Sequence, residues 1–111
     1  MTDKELQELR QWAAEVCGYK TYRGTEYHRP KGDDYEYVHY TNWLPDQNTS
    51  QAFEVLDTIR MKLGTGIEYE IGSNVQDHYA LFTNHVWSYC ENPNRCLAIL
   101  LTCKKAMEQK P

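Results

Sequence analysis

The chain predicts an α+β fold, and three observations carry that expectation. Two segments repeat apolar residues at helical spacing behind clear N-terminal caps. Strand-like alternation is gathered between the helices, and a late segment is apolar nearly all round. Strands grouped in this way pair antiparallel, because parallel neighbours need a long crossover between each pair. With 111 residues the chain reads as a single domain, 1–111, with one modest core.

The first helix opens on Thr2-Asp-Lys-Glu5. This is a capping box, in which the Thr2 hydroxyl accepts from the Glu5 N–H and the Glu5 carboxylate reaches back. Leu6, Leu9, Ala13, Val16 and Cys17 follow at helical spacing, Trp12 lies beside that stripe, and Gly18 supplies the stop. Residues 19–23 read as a short extended segment. Gly24 to Asp34, with Pro30, Gly32 and many charges, reads as an irregular surface loop.

Tyr35 to Thr41 has strand character through its aromatic and β-branched residues. Alternation places Tyr35, Tyr37 and His39 on one face and Glu36, Val38 and Tyr40 on the other. Neither face is plainly apolar, so the segment reads as an edge strand or an ordered loop.

A Trp43-Leu-Pro-Asp corner leads into the second helix. Asn48, Thr49 and Ser50 compete to cap it, which also accounts for a match to a glycosylation sequon. Ala52, Phe53, Val55, Leu56, Ile59 and Leu63 form its apolar face, and Gly64 ends it. Ile67 to Ile71 alternates at period two, and Gly72-Ser-Asn74 has turn chemistry. Asp77 to Thr83 and Val86 to Cys90 read as further strands, with Asn84 in the turn between them, giving a meander of two or three strands. Glu91-Asn-Pro-Asn94 is expected to break the sheet and cap the third helix. That helix is apolar nearly all round (Cys96, Leu97, Ile99, Leu100, Leu101, Cys103, Ala106, Met107), which predicts central packing or cover by another chain. Glu108 to Pro111 is expected to fray.

Three landmarks carry a family resemblance. Leu9-Arg-Gln-Trp-Ala-Ala-Glu-Val-Cys-Gly-Tyr19 resembles the opening helix of the phage ABA-sandwich domain family. Trp43-Leu-Pro-Asp through Ala52-Phe-Glu-Val-Leu56 resembles its central capped segment, and Asn94-Arg-Cys-Leu-Ala-Ile-Leu-Leu-Thr-Cys-Lys-Lys-Ala106 its closing helix. The resemblance spans nearly the whole chain. It implies a layered α-β-α sandwich and a bacteriophage or prophage origin, and it implies no reaction. The chain departs from the family pattern in the tyrosine-rich stretch before Trp43 and in the Leu-Thr-Cys-Lys-Lys that replaces the closing Ala-Leu pattern.

Composition excludes several classes. The net charge is −4 with signs interspersed, so the clustered cations that duplex nucleic acid demands are missing. No apolar run is long enough to span a bilayer, and the opening Met-Thr-Asp-Lys-Glu lacks a secretory pattern, which predicts a soluble cytoplasmic protein, the host's cytoplasm if phage-encoded. Cys17, Cys90, Cys96 and Cys103 include no Cys-x-x-Cys pair, so they read as small hydrophobes rather than metal ligands or disulfides. Of the four histidines, His28, His39, His78 and His85, none shares a helix face with a second ligand, and no nucleophile elbow or phosphate loop is present. Glu68 and Glu70 share a strand face in the manner of ordinary solvated carboxylates. The expectation is a protein that is not an enzyme and needs no cofactor or metal.

Nine Tyr and three Trp against two Phe mean that most aromatics carry a polar handle. Tyr35, Tyr37, His39, Tyr40 and Trp43 crowd within nine residues, with Arg23 and Arg29 upstream. Rings that stack on bases beside cations that pair with phosphates suit a nucleotide-like ligand. These seven residues are the candidate binding site, set against the simpler reading that the rings cover a small sheet. In the phage setting the resemblance implies, the expected role is sequestering a host nucleotide signal to counter defence. The competing expectation is a protein–protein module that masks a host protein or forms a homo-oligomer through its oily third helix.

Overall fold

A computed structural model of the protein describes residues 1–64, 66–83 and 89–108. It is an α+β chain of three helices and two three-stranded antiparallel sheets among the described residues. Two compact units divide it, Met1–Leu44 and Pro45–Pro111.

In the first unit, α1 (Asp3–Val16) begins at the expected box. The Thr2 hydroxyl accepts from Glu5 N at 3.1 Å, and Glu5 Oε1 accepts from Thr2 N at 3.3 Å. Leu9, Ala13 and Ala14 are its buried residues, and Gly18 at φ 90° ends the helix. Three strands follow: β1 (Lys20–Tyr22), β2 (Glu26–Lys31) and β3 (Asp34–His39). They lie in the order β1-β2-β3, so β3 is an edge.

The expected loop over residues 24–34 is therefore corrected: most of it is β2, the middle strand. Its charges and Pro30 obscured a two-residue alternation, in which Tyr27 and Arg29 take one face and Glu26 and His28 the other. Pro30 is tolerated because β1 pairs only as far as His28, leaving that end of β2 with one neighbour. Gly32, at φ 61°, makes the two-residue turn with Asp33 into β3, a backbone angle that side-chain-bearing residues resist. A 3-10 turn (Tyr40–Asn42) then leads to Trp43.

In the second unit, α2 (Thr49–Leu63) buries Ala52, Val55, Leu56 and Ile59. Asn48 wins the capping competition, its side chain accepting from Gln51 N at 3.0 Å. Strands β4 (Glu68–Ser73), β5 (His78–Thr83) and β6 (Cys90–Asn92) form the second sheet in that order. The expected turn at Gly72-Ser73 is displaced, because both residues belong to β4. Asn74 makes the turn instead, its side chain accepting from Gln76 N and Asp77 N. The Tyr79 ring crosses Gly72; a Cβ there would lie 2.5 Å from the Tyr79 hydroxyl, so the ring would have to shift.

The expected strand over 86–90 lies outside the described residues except for Tyr89 and Cys90, as do Asn84 and His85. Glu91 and Asn92, expected to break the sheet, are paired in β6, and the break falls at Pro93. Asn94 caps α3 (Arg95–Glu108) by accepting from Leu97 N at 3.2 Å. Glu108 is still helical; the rest of the expected fraying tail, 109–111, lies outside the described residues.

α3 packs against α2 and against β5 and β6. That accounts for most of its apolar circumference: Cys96, Ala98, Ile99, Leu100, Cys103 and Ala106 are buried, while Leu97, Leu101 and Met107 are half-buried. Thr102, wholly buried, donates to the Ala80 carbonyl at 2.8 Å, so its hydroxyl is satisfied. The four thiols are free, with Cys96 and Cys103 buried and Cys17 and Cys90 half-buried.

Candidate functional site

Alternation in the first sheet sorts its aromatic residues onto two faces. The register sets Lys20 opposite His28, His28 opposite Tyr37 and Pro30 opposite Tyr35, while Tyr27 faces Val38 and Arg29 faces Glu36. Lys20, Tyr22, His28, Tyr35 and Tyr37 thus share one face, which is turned to solvent. Tyr35 and Tyr37 are 52% and 51% exposed, large values for rings within a sheet.

On that face His28 is the hub. Its ring stacks on Tyr22 at 4.8 Å, on Tyr35 at 5.3 Å and on Tyr37 at 5.9 Å between centroids. Tyr22 and Tyr37 meet at 5.4 Å. The result is a continuous four-ring surface. Arg23, forced to φ 57° by the β1–β2 turn, places its guanidinium 4.9 Å from the centre of the Tyr22 ring. Among the described residues neither Lys20 nor Arg23 has an ion-pair partner. Glu26 and Asp34 bring negative charge to the same sheet, so the local balance is mixed.

The opposite face is built differently. Tyr19, Tyr27 and Trp43 are buried, with Tyr19 against Trp43 at 5.3 Å and Tyr27 against Tyr40 at 4.5 Å. The Trp43 indole N–H donates to the Arg10 carbonyl at 2.9 Å, tying the end of the sheet to α1. Arg29 lies over the Tyr19 ring at 4.2 Å, donates to Glu36 at 2.9 Å and to the Cys17 carbonyl at 2.9 Å. That hydrogen bond from Arg29 holds the Glu36 carboxyl below the usual range against the opposing push of partial burial. Beside these rings a cleft of about 750 Å³ runs along α1, lined by Tyr27, Tyr40, Trp43 and Leu44 and by polar residues of the helix.

The seven residues expected to form one binding cluster are accordingly divided. Arg23, Tyr35, Tyr37 and His39 belong to the open face, while Tyr40 and Trp43 line the cleft. Arg29 is held by Glu36 and the end of α1, an arrangement that consumes its charge locally. His39, though exposed, is occupied close at hand, because its Nδ1 accepts from Thr41 N at 3.1 Å and caps the 3-10 turn. The His39–Thr41 hydroxyl contact at 2.8 Å belongs to the same cap and is not a nucleophile–base pair joined across the fold.

Tyr22, Lys20 and above all His28 are additions to the site. The signal for them was present, since reading 26–31 as a strand puts His28 directly across from Tyr37. The charges, Pro30 and the flanking glycines masked it.

A second tyrosine pair lies at the second sheet, half-buried Tyr79 in β5 and exposed Tyr89 just before β6, but its surroundings differ. Tyr79 stacks on Tyr89 at 5.8 Å, and Tyr89 donates to Glu91. The Glu70 charge raises the Tyr79 phenol, and the hydrogen bond to Glu91 pushes Tyr89 up to about 12. Carboxylates beside both rings would repel a phosphate. Among the described residues no group of three or more His, Cys, Asp or Glu converges to hold a metal ion, and no helix is long and apolar enough to cross a membrane. Compared with family models, curated proteins and solved structures, the chain finds no match.

Proposed function

We propose that the chain is a small non-catalytic binding protein that stacks the ring of a nucleotide-like ligand on the open face of its first sheet. The observation that carries this reading is the four-ring surface of Tyr22, His28, Tyr35 and Tyr37, half-exposed and flanked by Lys20 and Arg23. Rings left in water are poised to stack, and every base offers a flat π-face to meet them. Two cations offset by Glu26 and Asp34 suit a ligand with few phosphates and disfavour a long polyanion. Kinship with the phage ABA-sandwich family, its α-β-α layering, and a role in sequestering a host signal belong to the same proposal. The kinship and the layering rest on the three sequence landmarks, and the sequestering role on the cluster of rings and cations in that setting.

The competing role as a protein–protein module draws less on α3, much of which packs within its own unit while Leu97, Leu101 and Met107 stay half-buried. It keeps another support in the exposed Tyr35 and Tyr37 on an edge strand.

The test is calorimetry with purified protein and a panel of mononucleotides and cyclic nucleotides, preceded by mass spectrometry of co-purifying small molecules. Binding that Tyr37→Ala and Tyr35→Ala each weaken by roughly tenfold supports the reading, the scale of one base–aromatic stack. No binding across the panel, or binding indifferent to both substitutions, refutes it.

A further inference from the structure

We infer that the cleft along α1 is a second binding site, fitted to an uncharged planar molecule that presents a carbonyl oxygen. It is separate from the open sheet face: no ring of the four-ring surface lines it.

Its size comes first. A volume of about 750 Å³ falls within the usual range for small-molecule sites. One part of its lining is aromatic and apolar, made of Tyr27, Tyr40, Trp43 and Leu44, and the rest is polar. Rings in the lining favour a flat ring over a flexible chain.

Tyr27 is only 7% exposed, yet its hydroxyl has no hydrogen-bond partner among the described residues. A phenol at the wall of a cleft with no protein partner is free to donate to a bound molecule. Tyr40, in ring contact with Tyr27, also has a hydroxyl without a protein partner among those residues. The remaining aromatic donor, the Trp43 indole, is already engaged by Arg10. Burial raises the Tyr27 phenol above its ordinary value, with Tyr40 adding to the effect, so the group keeps its proton and serves as a donor. Two phenol donors ask for an acceptor, and a carbonyl oxygen with two lone pairs can meet both.

Charge decides the rest. The cations at the cleft, Lys4 and Arg10, are matched by the carboxylates Asp3 and Glu8. A ligand carrying net charge gains from one pair and is opposed by the other, so a neutral molecule is preferred.

Benzamide, benzoate and toluene are suitable probes, titrated into the full chain with the tyrosine ring and tryptophan indole signals followed by NMR. Benzamide should shift Tyr27, Tyr40 and the Trp43 indole while leaving Tyr22, Tyr35 and Tyr37 unmoved, and should bind more tightly than benzoate or toluene. Tyr27→Phe keeps the ring and deletes the hydroxyl, and should weaken benzamide roughly fivefold while leaving toluene unchanged. Equal affinity for the three probes, shifts confined to the open sheet face, or benzamide binding unaltered in Tyr27→Phe would each overturn the inference. Because the two sites share no ring, a failure here leaves the nucleotide test on Tyr35 and Tyr37 standing.

Discussion

Replacing Trp43 by Phe tests the most connected residue of the first unit. Trp43 is 2% exposed, contacts the Tyr19 ring at 5.3 Å, and donates its indole N–H to Arg10 at 2.9 Å. Phenylalanine keeps a ring in place but removes the donor and leaves a void about the size of the lost five-membered ring, roughly 35–40 Å³. At about 24 cal/mol per Å³ that void costs about 1 kcal/mol. Loss of the hydrogen bond costs about 1 kcal/mol more. The cost stays this low because the Arg10 carbonyl lies inside α1 and can still accept the helical i+4 N–H.

The sum is about 2 kcal/mol, which for a chain of this length lowers the melting temperature by roughly 8 °C. Circular dichroism melts of the two proteins measure it, and hydrogen exchange of the Trp43 indole N–H checks the cause. Slow exchange in the parent protein and a melt lowered by several degrees are expected. A melt shifted by less than about 2 °C, or an indole proton that exchanges as fast as an exposed one, would refute the claim that Trp43 ties the sheet to α1.

Arg29→Met keeps the apolar stem but leaves Glu36 and the Cys17 carbonyl without their shared donor, and should cost about 1–2 kcal/mol at neutral pH after allowance for solvent screening. The Glu36 carboxyl lies below its ordinary value in the folded state, so its contribution is present above the ordinary carboxylate range, near pH 4–5, and is lost as pH falls through the lowered folded value. Urea melts from pH 7 to pH 3 should therefore show the gap between parent and variant narrowing with acid to what the Cys17 carbonyl contact leaves; a constant gap counts against the pair. Asn48→Ala removes the cap of α2 and should cost about 1 kcal/mol, whereas Asn48→Gly should cost only a few tenths. Equal losses for the two substitutions would show that the Asn48 side chain is not what caps the helix.

Helices were the legible part of this chain. Thr2 with Glu5, Asn48, and Asn94 each cap where the sequence places them, because capping is decided by side chains within three residues of the backbone they serve. The apolar stripe of α2 and the apolar circumference of α3 were equally readable, since a periodicity states how much of a helix must be covered. What covers α3 was not stated; contacts with α2, β5 and β6 bury Cys96, Ala98, Ile99, Leu100, Cys103 and Ala106 and leave Leu97, Leu101 and Met107 half-buried.

Strand β2 was hidden for the converse reason. A two-sided surface strand with Arg29, Pro30 and Lys31 lacks an apolar face, and only its pairing with β1 and β3 makes it the middle of a sheet. Sequence alone determined that the region around Tyr35 and Trp43 concentrates rings and cations, because composition records what is present. Tertiary structure decided which rings stand in water and which do not. Pairing His28 with Tyr37 brings the outer rings together across the sheet, while the bond from Trp43 to Arg10 draws the inner ones onto α1. A side chain's face follows from the strand's register, and register is a property of neighbours that the linear order does not name.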